Sequence, residues 1–357
     1  MIPLYKPYMP NELPELDNIL HSGALAYGEY SKKFERMLMD FFNHDKLVIT
    51  NSFNTAISVV ISVLDLKKGD EVIASPMACL ASTQSYASSG LKIVWADVDS
   101  NLGTLDPESV KKKITSKTKC IIHNHFCGYP GHIDEINAIG HEYGITVIDD
   151  GIEGFGSEYK GRKLGNCGSD ITVFSFTAVR MPNTIDGGAI IFNHESLYLK
   201  SQLVRDCGID RKIFRDDIGE ISPNCDIQLI GHSATMSNVN GYIGSLQMEN
   251  VESLIAQQRF NAKKWSEMLE NETDFRSIVT TNSLPNYWVY GLLAKDKRKT
   301  ILDFRERGFH ASGVHINNNI YSVFGDKTEL KGVRDFYSKF VAIPSGWWLN
   351  FKNDTNV

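Results

Sequence analysis

The sequence has no Cys-x-x-Cys pair, no surplus of positive charge, no membrane-length apolar run and no internal repeat. Each absence removes a class of function. Its six cysteines (Cys79, Cys120, Cys127, Cys167, Cys207 and Cys225) lie scattered. They are expected to be free thiols, and neither zinc nor another metal is expected. A formal net charge of -6 makes nucleic acid and anionic membrane poor partners. The longest apolar stretches are strand-sized, so no bilayer-spanning helix is expected. The opening "MIPLYKPYMP" has neither a charged leader nor an apolar signal core, so a cytoplasmic location is expected.

What remains is the composition of an ordinary globular protein, 42% hydrophobic and 22% charged. At 357 residues the chain has room for one large domain and a smaller one. From about residue 30 to 195, helix-period and strand-like segments alternate. "SKKFERMLMDFF" has Phe34, Met37 and Phe41 at helical spacing, and "KLVIT" follows as a short buried strand. "TAISVVISVLDL" reads as a helix and "EVIAS" as a strand. "KIVWADV" is a further strand, and "DPESVKKKI" a helix with Asp106 as N-cap and Pro107 at its first position. "KCIIHNHF", "ITVIDDG" and Ile171–Phe176 complete the pattern, with a helix "IDEINAIGHEYG" closing at Gly144.

Such alternation predicts an α/β protein with a mostly parallel, doubly wound sheet. Ligands of such sheets sit at the carboxyl ends of the strands. That rule selects residues 51–55, 75–79, 125–128, 149–153 and 175–180. From about residue 245 the pattern changes. "YIGSLQMENVESLIAQQRFNAKKWSEML" reads as one long amphipathic helix, and parallel-strand signals thin out. We expect a large domain over residues 1–249 and a small α+β domain over residues 250–357. The chain ends on "WWLNFKNDTNV" without a final amphipathic helix, which leaves a trimmed terminus open.

In order and spacing, "GDEVIAS", "HNHFCGYPGHIDEI", "ITVIDDGIEGFGSEYKGRKLGNCGSDITVFSF", "DGGAIIF" and "MSNVNGYIGSLQMENV" resemble the DegT/StrS group of sugar-nucleotide aminotransferases. The resemblance covers nearly the whole chain. It implies the aspartate-aminotransferase-like fold-type I of enzymes that use pyridoxal phosphate (PLP) or its amine form (PMP). It also implies a nucleotide-linked deoxysugar as ligand, a role in surface-glycan synthesis, and a homodimer with shared sites.

By the same resemblance, Asp150 faces the cofactor's ring nitrogen and Ser175 its phosphate. Asp149 should point the other way, because side chains alternate along a strand. His125 and Gly128 keep the H-x-x-G that shapes a strand-end turn. "GVHINNNIYSVFG" and "VAIPSGWW" resemble small-domain signatures of one branch, and place His315, Asn318 and Tyr321 among the substrate-binding positions.

The departures cluster in one place. The phosphate loop reads Ser52-Phe53-Asn54 in place of Ser-Gly-Thr, and Phe53 is expected to crowd the anion. Cys79 stands for a stacking ring, Ser233 for the residue that reaches the neighbouring subunit's phosphate, and Glu153 for a glutamine. Arg180 stands where the family holds the lysine that carries the cofactor. Lysine serves there because burial can free its amine. A guanidinium stays protonated and is neither nucleophile nor general base.

Three readings follow. The protein is a PLP- or PMP-dependent sugar enzyme whose lysine change is engineered or compensated. Alternatively it has lost PLP but keeps the sugar-nucleotide pocket, where it binds the sugar or isomerises it with His125 or Glu153 as base. Or it is a non-catalytic partner of an active relative. Arg180 is expected to pair with Asp150 or Glu153, or to take over part of the ligand-holding role, with the cofactor pocket empty or holding only a loosely bound anion.

Overall fold

Seven strands form the central sheet, in the spatial order Leu47–Thr50, Gly188–Phe192, Ile171–Ser175, Thr146–Asp150, Thr118–Asn124, Glu71–Ala74 and Lys92–Trp95. The computed structural model that shows this describes residues 1–325 and 327–351. The open question about the end of the chain falls largely on residues 352–357, outside the described residues. Gly188–Phe192 runs against both of its neighbours, and the remaining pairs are parallel. The strands from Leu47, Glu71, Ile171 and Gly188 are buried at every position. That is why they read as apolar runs instead of alternating ones.

Helices cover both faces, and their ends follow the sequence signals. Asp106 caps Pro107–Lys113 by accepting the Glu108 N–H at 3.0 Å. Ile133–Tyr143 stops at Gly144, which takes the left-handed conformation at φ 64°. Lys92–Trp95 is shorter than "KIVWADV", because Val98 turns away to bridge Leu105.

The expected long helix after residue 241 is two helices, Asn238–Met248 and Val251–Met268. The apolar periodicity continues across the break. At the junction the Asn250 N–H bonds back three residues, to the Gln247 carbonyl, and the Asn250 carbonyl opens the second helix by accepting from Leu254. Beyond it, Phe275–Ser277, Tyr290–Ala294 and Phe340–Ile343 make a three-stranded antiparallel sheet. Its Leu293, Phe340 and Ala342 share one hydrophobic cluster with Val48, Ile122 and Val173 of the large sheet. Ser283–Leu284 pairs with Glu158–Tyr159, so the C-terminal third is stitched to the large sheet's side of the molecule. Among the described residues, no helix is long and apolar enough to cross a membrane.

Candidate active site at the strand ends

The last residues of Thr146–Asp150 place two carboxylates side by side, and the pleat sends them to different surroundings. Asp149 is fully buried and accepts the Ser169 hydroxyl at 2.7 Å. His123 Nδ1 and His125 Nε2 lie 3.3 and 3.4 Å from its Oδ1, at ion-pair distance but not in hydrogen-bond alignment. Burial alone would raise the Asp149 carboxyl, but the two imidazoles hold it well below the usual carboxylate range.

His125 Nδ1 accepts the Gly131 N–H at 3.1 Å. Its hydrogen therefore sits on Nε2, facing Asp149. In that tautomer Nε2 has no lone pair for a metal, although His123, His125 and Asp149 cluster closely enough to suggest one. It also leaves His125 without a free nitrogen for proton transfer to a ligand.

Asp150 is equally buried and less well served. Its Oδ1 accepts the Ile152 N–H at 3.1 Å. Among the described residues its Oδ2 has no hydrogen-bond partner, the Ser82 hydroxyl beside it falling outside hydrogen-bond geometry. Burial raises this carboxyl to about 6. A buried carboxylate oxygen without a donor costs free energy that a cationic or N–H ligand would recover.

Arg180 follows the strand Ile171–Ser175, anchored by its own N–H on the Thr177 carbonyl at 2.9 Å. Its guanidinium is buried, 3.5 Å from Glu153 Oε1 and 4.6 Å above the Trp288 ring. Trp288 in turn stacks on Tyr5 at 4.5 Å. The internal pairing therefore falls on Glu153 and not on Asp150. Among the described residues the Arg180 Nε finds no hydrogen-bond partner. Both oxygens of Glu153 are engaged, with Oε1 2.7 Å from His315 Nε2 and Oε2 accepting the Cys127 N–H at 2.7 Å. Burial opposes its charge, but His315 and Arg180 outweigh burial and keep the carboxyl below its ordinary range. Two cavities beside Arg180, one lined also by Tyr5 and Lys6 and the other by Glu153 and Ser175, measure about 10 Å³ each. That is room for about one water molecule apiece.

The remaining positions divide. Ser52 caps the helix Phe53–Val63, accepting the Thr55 N–H at 3.1 Å. Phe53, expected beside an anion, packs its side chain into the main hydrophobic cluster and is 3% exposed. Asn54 is exposed beside Ser85, and Ser175 lies within 3.2 Å of the Thr177 hydroxyl. Cys79 is half-buried at the start of the helix Leu80–Ser88. Gly128 takes φ +85°, and a Cβ there would lie 2.2 Å from Asn286 Oδ1, so the turn requires glycine.

From the C-terminal region, His315 reaches Glu153, and Asn318 ties its loop to the Ala78 carbonyl and the Thr83 hydroxyl at 3.1 Å each. Tyr321 lies on the surface. Ser233 is exposed, its carbonyl accepting from Asn51 at 3.1 Å. Sequence reasoning missed Trp288 and Tyr5. Both lie outside the helices and strands, where no periodicity marks them.

Set against a PLP-type cofactor, this chain fits at one end. Asp150 suits a protonated ring nitrogen, its Oδ2 being buried without an aligned donor among the described residues. No amine stands at position 180 to bond the cofactor.

The family profile described as the DegT/DnrJ/EryC1/StrS aminotransferase family matches residues 8–352. An uncharacterized protein of Methanocaldococcus jannaschii is 26% identical over 356 residues, covering 96% of this chain and 92% of that protein. The crystal structure of the sugar aminotransferase CalS13 from Micromonospora echinospora superposes with a TM-score of 0.92 at 25% identity, over 100% of this chain and 98% of that one. AtS13 from Actinomadura melliaura gives 0.91 at 27% identity, over 100% and 96%. The chain belongs to the DegT/DnrJ/EryC1/StrS aminotransferase family.

Proposed function

We propose that the protein binds and modifies a nucleotide-linked keto-sugar in deoxysugar or surface-glycan biosynthesis in the cytoplasm, at a site that forms no covalent bond to PLP. The observation that carries this is Arg180. By resemblance it replaces the cofactor-bearing lysine, and its buried guanidinium is committed to Glu153 and Trp288. In this reading residues 1–249 carry the cofactor-type site and residues 250–357 form the small domain that contributes His315. We further propose a homodimer. Ile213, Ile218, Ile221, Ile227 and Ile230 are all exposed in the segment between Cys207 and Ser233, a density of surface isoleucine that suits a partner subunit.

A second reading has an observation of its own. The sugar-aminotransferase relatives favour a cofactor-using enzyme, and the orphaned Asp150 Oδ2 favours a ring N–H above it. PMP held without a covalent link would meet Asp150 at its ring and Ser175, Asn54 and the helix Phe53–Val63 at its phosphate. Bound there, it would supply an electron sink. Asp150 would then keep the ring protonated, while Glu153 would hold Arg180 in place.

Calorimetry of the cofactor-free protein with a nucleotide-linked 4-keto-6-deoxyhexose tests the proposal. Binding is expected without added PLP or PMP. Binding that requires PMP selects the second reading, and the absence of binding under both conditions overturns both.

A further inference from the structure

We infer that His315, held by Glu153, is the proton-transferring base of this site, with Arg180 as the cation that receives the developing negative charge. This rests on the reading above that the ligand carries a carbonyl group. Glu153 is buried beside the Arg180 guanidinium and accepts the Cys127 N–H, an environment for a carboxylate, and a carboxylate can only accept hydrogen bonds. Its 2.7 Å contact with His315 therefore puts the imidazole hydrogen on Nε2. In the neutral ring Nδ1 is then left with its lone pair. The side chain is 18% exposed, so a ligand and solvent protons can reach it. The two alternative bases are spoken for. His125 spends its nitrogens on Gly131 and Asp149, and Glu153 spends both oxygens on the chain.

Arg180 completes the arrangement. It reaches the same Glu153 oxygen as His315 and keeps an unpartnered, buried Nε. A base held by a carboxylate, beside a fixed cation, is the constellation that removes a proton next to a carbonyl. His315 Nδ1 takes the proton from the carbon adjacent to the carbonyl. The C–H electron pair becomes the C=C of an enolate, and the carbonyl oxygen carries the charge against the guanidinium. After exchange with solvent, the proton returns to carbon and the ketone is restored. No electrons leave and no co-reactant is needed.

The test is deuterium wash-in from D2O beside the carbonyl of a bound nucleotide-linked 4-keto-6-deoxyhexose, followed by NMR. The native protein is expected to exchange this position faster than free ligand. His315→Asn should lose about 100-fold or more in rate while still binding. Glu153→Gln tests the positioning role, because an amide can donate to Nε2 and release the ring to the other tautomer. Its exchange should fall and the 15N signals of His315 should move, a change that loss of packing alone would not produce. Native His315 showing a protonated Nδ1 and bare Nε2 in its neutral form overturns the inference. Binding without wash-in above the free ligand overturns it too, and leaves the ligand reading standing. The absence of binding overturns both.

Discussion

Asp149 and Asp150 share a strand, a chemical type and near-complete burial, and each has one oxygen without an aligned hydrogen bond. Yet that of Asp149 faces two imidazoles at 3.3 and 3.4 Å, while that of Asp150 has no such basic neighbour among the described residues. Around Asp149 the chain supplies Ser169 and two imidazoles, so the charge is compensated from within. Around Asp150 it supplies one backbone N–H and leaves an oxygen bare. Burial cost is the same for both, and the difference lies in what the fold gives back. A polar group whose needs the chain meets serves as scaffold. One left in deficit, at the carboxyl end of a parallel strand, marks where a ligand is expected.

The sharpest way to break this contrast is to remove each charge in turn. Asp149→Asn should destabilise the protein by about 3–5 kcal/mol, as loss of one partner from a buried charged cluster does. Denaturant unfolding near neutral pH measures it. A change within the noise would mean that the histidines do not depend on Asp149.

Asp150→Asn should act in the opposite direction. The folded carboxyl is raised to about 6, above its ordinary value of 3.8, so the native state holds the proton more tightly than the unfolded state does. This contribution is fully present below the ordinary value and is lost as pH rises through about 6. At about pH 8 the variant should therefore be more stable than the native protein by about 1–3 kcal/mol, and its stability should be flatter across the acidic window. Equal pH dependence in both proteins would show that Asp150 is compensated after all.

Arg180→Lys probes the cation between the two regions. Lysine keeps a charge but loses the planar stacking on Trp288, for an expected cost of about 0.5–2 kcal/mol. It should not by itself produce a yellow protein with full transamination, because Cys79 still stands where the resemblance places a stacking ring. Absorbance after PLP addition, with a transamination assay, checks this. The smallest effect expected is that of Ser52→Ala, about 1 kcal/mol from loss of a helix cap, measured without any ligand. If that variant unfolds like the native protein, the hydroxyl is free for an anion after all.

The strands and the turns after them were legible because a buried parallel strand reads as an apolar run ending in polar residues, as "TVIDD" and "VFSF" do. The segments at the strand ends therefore already held Glu153 and Arg180, which meet at 3.5 Å. The break at Asn250 was not legible, since apolar spacing runs through it and only the backbone turns. Nor was the fate of Phe53, whose bulk the hydrophobic core absorbs. Tyr5, Trp288 and His315 come from distant parts of the chain, and their meeting at the strand ends depends on how the C-terminal sheet packs. Which of the two alternatives Arg180 would pair with was likewise a tertiary matter, decided by Glu153 lying within reach.

The claim that residue 180 is a fixed cation, and not a tether, has a direct measurement. The protein is incubated with excess PLP, reduced with borohydride, denatured, and read by intact mass and peptide mapping. The account predicts that the site carries no covalent pyridoxyl group and that bound cofactor, if any, is released on denaturation. A pyridoxyl group retained stoichiometrically on a residue lining this cleft would contradict it.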